Sequence, residues 1–378
     1  MTSIGGAEMV DWNLAVATAI RFVRPGPEVS PDEARAVVAE LRGHARASEA
    51  HVREFTRMIP EGHEPEDTPV LVVDRAGWIK ANVAGFRELL TPLLDKMQER
   101  RTGGPTGAVL GAVGGKVTGV ELGMLLSFLA SRVLGQYETF APATRELPAG
   151  AAGGGRLLLV APNIVHVERE LDVDPHDFRL WVALHEETHR TQFTGVPWLR
   201  DHLEGEIQSF LGETDVDPMT FLERLREAAQ SLAGARPEGE VGDDDGGRSL
   251  VELVQSPAQR EILGRLTAVM SLLEGHADYV MDGVGPRVVP SVAEIREKFQ
   301  QRRAKGAGRL DLALRRLLGL DAKLRQYRDG ERFVRAVVDQ VGMDGFNRVW
   351  TSPNTLPTKA EISKPADWIA RVHRRTDG

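Results

Sequence analysis

The chain has 378 residues, 42% of them hydrophobic, which is enough for one large core or two ordinary ones. Its net charge of −8 gives no global field for nucleic acid, and no nucleic-acid partner is expected. It has ten histidines and no cysteine, so disulfides and thiolate zinc sites are excluded and any metal must be held by His, Asp or Glu.

The N-terminal residues lack a basic segment followed by an apolar one, so no secretory signal is expected and the chain reads as cytoplasmic. A first helix is predicted from about Met9 to Val23, broken by Pro25-Gly26-Pro27. The next begins at Ser30-Pro31-Asp32-Glu33, where a capping serine, a proline in the first turn and two acids coincide. Pro69 to Val73 reads as a short strand, followed by a helical pattern through Trp78, Val83, Phe86, Leu89 and Leu90. Gly107 to Tyr137 is the most membrane-like stretch, but Lys116, Glu121 and Arg132 interrupt it. A helix packed through its small residues is expected there, and no membrane span. Gly114-Gly115-Lys116-Val117 is no phosphate loop, because Leu110 and Val117 occupy the positions of its first glycine and its Ser or Thr.

Gly150 to Gly155 reads as a linker. Two strands are predicted after it, Leu157 to Val160 and Ile164 to Val167, separated by Pro162-Asn163. A helix then starts at Asp174-Pro175, runs through Trp181, Leu184 and Thr188, and stops near Gly195 and Pro197. Further helices are predicted over 198–211, 256–282 and 291–342, with residues 235–249 as a mobile surface loop. Between Arg296 and Arg335, 13 basic residues stand against 5 acids, which reads as a solvated amphipathic helix face. The expectation is a mainly α chain with a small β element. Residues 1–149 would form an N-terminal helical region and 150–378 a catalytic one, the two able to make one compact unit.

The chemistry centres on His185-Glu186-Glu187-Thr188-His189. Residues four apart share a helix face, so His185 and His189 can turn both imidazoles to one Zn2+ ion. Glu186 can take a proton from a water that the ion has acidified. A third ligand must come from elsewhere. Glu274 ranks first, because Asp278 lies one turn further on and can orient a ligand histidine. Glu204, Glu206 and His202 are its rivals. Tyr279, His276, Arg190 and His202 are candidate partners for a developing oxyanion or a substrate.

The segments Leu184 to Arg190 and Glu274-Gly275-His276-Ala277-Asp278 resemble the zincin-like metallopeptidases sometimes labelled as associated with biosynthesis of coenzyme F-420. More distantly, two histidines with a glutamate resemble the gluzincin arrangement. The resemblance implies a zincin-like architecture, with His185, His189 and Glu274 as ligands and Glu186 as the catalytic carboxylate. It also implies that Ile164 to Val167 is an edge strand pairing with an extended peptide. The expected activity is zinc-dependent hydrolysis of a peptide, with hydrolysis of a small amide in a cofactor pathway as a second reading. The alternative is a zinc-stabilised scaffold without turnover, and Glu186 argues against it, since a purely structural site needs no base. Oligomeric state is not legible.

Overall fold

The computed structural model describes residues 10–58, 69–100, 105–142, 155–212, 257–305 and 320–373. The loop expected at 235–249, most of the 150–155 linker and the Leu310 to Leu318 stretch lie outside them. The described chain is mainly helical with one small three-stranded sheet, as its sequence predicts. No helix among these residues is long and apolar enough to cross a membrane. The chain divides into two units: residues 1–200 with 280–296, and residues 201–279 with 297–378.

In the first unit, α1 (Trp12–Phe22) is capped by the Asp11 side chain, which accepts from the Leu14 amide at 2.9 Å. Ser30 caps α2 (Pro31–Thr56) in the same way, accepting from Glu33, so the entry signal read from Ser30-Pro31-Asp32-Glu33 holds. The strand β1 (Val70–Val73) follows, then α3 (Arg75–Arg100) and α4 (Pro105–Ala130). The Gly114 to Val117 run lies inside α4 and is helical. α1 crosses α4 at its glycines. A Cβ on Gly119 would fall 2.6 Å from the Asp11 carbonyl oxygen, and one on Gly123 would fall 2.7 Å from that of Ala15. Small residues let the two backbones approach, the packing expected of this stretch.

The sheet has the order β1-β3-β2, with β2 at Gly135–Glu138 and β3 at Arg156–Val160. β3 is fully buried and pairs parallel with β1 and antiparallel with β2. Its continuous apolar run suits a strand paired on both sides and covered on both faces. Glu138 and Arg156 oppose each other across β2 and β3, and their side chains form a buried ion pair of 2.6 Å.

Ile164 to Val167 is not a strand. It lies within α5 (Ala161–Leu171), which begins directly after β3 with Pro162 in its first turn. Short apolar runs do not separate the two periods, and here Ile164, Val165, Val167, Glu168 and Leu171 recur at helical spacing on a buried face. Proline starts the helix instead of breaking the chain. Asn163 then serves as a buried hub. Its side-chain amide donates to the carbonyls of Ala130 (2.8 Å) and Val133 (2.6 Å), and its Oδ1 accepts from Arg75 Nε at 2.6 Å. The proposed peptide-pairing edge strand at 164–167 therefore does not exist. Among the described residues the sheet's edges are β1 and β2.

α6 (Pro175–Gly195) begins as expected, with Asp174 accepting from the Asp177 amide at 2.9 Å. Asp177 in turn accepts from the amide and hydroxyl of Ser291, at 2.8 and 2.6 Å. Gln136 of β2 binds α3, accepting from Trp78 Nε1 (2.8 Å) and donating to Asn82 Oδ1 (3.1 Å).

The second unit is helical. It takes most of α7 (Leu199–Gly212), α8 (Pro257–Gly283) and α9 (Val292–Lys305). α10 (Leu320–Phe346) is interrupted at Gly342, whose φ of +71° is open to glycine. Short α11 (Lys359–Ser363) and α12 (Pro365–His373) close the chain. α8 and α10 meet glycine to glycine: a Cβ on Gly275 would lie 2.1 Å from the Gly330 carbonyl carbon. Trp368 is fully buried and donates from Nε1 to the Thr355 carbonyl at 2.8 Å.

Candidate metal centre

α6 carries His185, Glu186 and His189 on its middle turns, all within the first unit. The two Nε2 atoms are 3.2 Å apart and the rings stand nearly perpendicular, at 87°. Two imidazole nitrogens bound to tetrahedral zinc at about 2.0–2.1 Å would be separated by about 3.3 Å. The pair therefore fits a shared ion with little adjustment. The Nδ1 of His189 faces Gln192 Oε1 at 3.0 Å. That contact suits an Nδ1–H tautomer and leaves the Nε2 lone pair for a metal. The Nδ1 of His185 lies 3.3 Å from the sulfur of Met281.

Glu186 is buried against β2. A Cβ built on Gly135 would fall 2.5 Å from Glu186 Cγ and 2.8 Å from its Oε1. The carboxylate thus occupies the space that any side chain at Gly135 would need. β2 and α6 meet at this point, so the candidate base stands beside an edge strand.

The neighbouring residues hold α6 in place. Glu187 is buried and pairs with Arg190 at 2.9 Å, and Arg190 reaches Glu49 of α2 at 3.1 Å. Burial pushes the Glu187 carboxyl up to about 7, against the pull of Arg190. Arg190, a candidate oxyanion partner, is thus engaged in a buried ion pair. Thr188 turns its hydroxyl back to the Leu184 carbonyl at 2.8 Å. Tyr137 of β2 stacks on Phe193 at 5.3 Å, and burial pushes its phenol up to about 12.

Glu274, Asp278, His276 and Tyr279 lie on α8, in the second unit. Glu274, Asp278 and Tyr279 are half-buried. His276 is fully buried, its ring 5.2 Å from Phe346 and 5.5 Å from Trp350. Tyr279 has the Arg335 guanidinium 5.4 Å from its ring centre, and burial raises its phenol. Glu204, Glu206 and His202 lie on α7, where Glu206 pairs with Arg265 at 2.9 Å.

Three residues of this centre were not legible as such: Gln192, Met281 and Gly135. Gln192 sits three residues after His189 on the same helix, a spacing that can be searched for an orienting group. Gly135 has no local signal, because only the fold brings it to Glu186.

A family model described as "Zincin-like metallopeptidase" matches residues 10–369. No curated protein matches the chain. A crystal structure from Chloroflexus aurantiacus, described as "a putative hydrolase with a novel fold", is 31% identical, covers 97% of this chain and 99% of its own, and superposes with a TM-score of 0.67. The family match spans nearly the whole chain and encloses both histidines, so the chain belongs to the zincin-like metallopeptidase family.

Proposed function

We propose that this chain is a zinc-dependent peptidase in which His185, His189 and Glu274 hold the ion and Glu186 is the general base. The observation that carries the reading is the 3.2 Å separation of the two Nε2 atoms beside a buried Glu186 carboxylate. Zinc bound there would polarise a scissile carbonyl and acidify a water. The chain's own residues supply the rest. Glu186 takes the proton of the attacking water as its oxygen bonds to the carbonyl carbon, then delivers it to the amine nitrogen as the C–N bond breaks. β2 offers its outer edge to an extended peptide, taking the role first assigned to residues 164–167.

Glu274 is supported as the third ligand by helix periodicity. Met281, whose sulfur touches His185, lies 281 − 274 = 7 residues after Glu274 on α8. Seven residues are about two turns, so the two side chains share a face. Asp278 is one turn after Glu274 on that side and is the proposed orienting group for a ligand histidine. Of the oxyanion candidates on α8, His276 and Tyr279 stand two and five residues after Glu274, off the face it shares with Met281, so neither is assigned that role.

The test is zinc affinity together with turnover on a peptide library. Glu274→Ala should weaken zinc by more than about 100-fold, beyond what loss of an outer-shell partner costs. Unchanged affinity would move the third ligand to Glu204, Glu206 or His202. Zinc bound by the wild type without cleavage of any peptide would favour a small-amide substrate or a scaffold. Gly135→Ala should lower kcat about 100-fold with zinc affinity unchanged, because its methyl displaces the Glu186 carboxylate. An unchanged kcat would separate Glu186 from β2.

A further inference from the structure

Glu40 and His44 lie one turn apart on α2, and His176 is the second residue of α6. One ligand atom from each lies within 4.8 Å of the other two. His176 Nδ1 is 2.8 Å from Glu40 Oε1, and His44 Nε2 is 3.4 Å from the same oxygen. The two imidazole rings meet edge to face at 4.6 Å. His44 is only 7% exposed, and its Nε2 is buried without a hydrogen-bond partner, since its approach to Glu40 lacks the geometry of one. A buried ring nitrogen in that position costs stability unless something satisfies it.

We infer that Glu40, His44 and His176 form a second site for a divalent transition metal of the zinc class, independent of the His185 and His189 pair. Their donor set is the two-histidine, one-carboxylate set that such ions accept. An O···N separation of 3.4 Å is close to the about 3.3 Å expected between two ligands of one tetrahedral zinc. The ion would satisfy His44 Nε2 and replace the direct contact between His176 Nδ1 and Glu40 Oε1.

The surrounding charges suit this. Arg179 grips the other oxygen of Glu40, leaving Oε1 facing the two rings. The same guanidinium binds Glu168 through Nε at 2.9 Å, and that second carboxylate offsets its repulsion of a cation. The His176 side chain is 64% exposed, so an ion can enter from solvent and keep a solvent position as a fourth ligand. Such an ion ties α2 to the first turn of the helix that carries His185 and His189, a structural clamp.

The experiment measures Zn2+ stoichiometry and zinc-dependent Tm in a His185→Ala/His189→Ala chain, with and without His176→Ala. The first should bind about one zinc per chain and rise in Tm with zinc, and the added substitution should remove both effects. A folded His185→Ala/His189→Ala chain that binds no zinc, or whose zinc is indifferent to His176→Ala, would overturn the proposal. The wild type gives a second measurement should that chain fail to fold. It should bind about two zinc ions, and His176→Ala about one. Equal stoichiometry in the two would also overturn the proposal. His176→Ala alone reports on the first centre separately, so failure there is distinguishable from failure here.

Discussion

Glu186→Gln is expected to lose peptide cleavage by about 10²- to 10⁴-fold in kcat while binding zinc as the wild type does. The substitution keeps the shape of the side chain and so its seat against Gly135. It removes only the capacity to accept a proton. His185 and His189 are untouched, and their Nε2 separation of 3.2 Å is set by α6 itself. Single-turnover rates on the best library peptide, with zinc titrated in parallel, separate the two effects. Activity within about threefold of wild type would move the base to another group, since a positioned general base contributes far more than that. Loss of zinc together with activity would make Glu186 part of the metal's support instead.

Glu138→Ala is expected to destabilise the fold by about 3–5 kcal/mol, read from chemical denaturation. Arg156 is fully buried and its Nε sits 2.6 Å from Glu138 Oε2. Removing the carboxylate leaves a charged guanidinium in the interior of the sheet with its principal countercharge gone. Burial raises the Glu138 carboxyl even against Arg156, a sign of how strongly this environment opposes charge. The pair is thus costly to break rather than strongly stabilising in itself. Replacing both members with methionine should recover most of the loss, because the desolvation penalty disappears with the charges. A Glu138→Ala chain as stable as wild type would show that Arg156 finds other acceptors. A double variant no more stable than Glu138→Ala would show that the sheet needs the cross-strand contact for its register.

Much of this fold was legible because its signals are local. Ser30 and Asp174 cap helices where their sequences say they should, since a cap needs only the next three residues. β3 was legible as an unbroken apolar run. Its neighbour was misread: Ile164 to Val167 has the same composition, but Pro162 and the buried contacts of Asn163 make it the first turns of α5. A run of four apolar residues carries too few positions to fix a period. β2 was missed because Gly135-Gln136-Tyr137-Glu138 has no alternating apolar pattern. Its side chains are committed to Trp78, Asn82, Phe193 and Arg156, all distant in sequence.

The pairing of His185 and His189 on α6 was determined by sequence alone, because four residues of helix suffice to bring two imidazoles to one point. Family membership was legible in the same segment. Only the tertiary structure decided that Glu186 rests on an edge-strand glycine 51 residues away (186 − 135), and that Glu40 and His44 of α2 meet His176 of α6. Both are contacts between elements, fixed by how helices and sheet pack. No spacing rule along the chain encodes them.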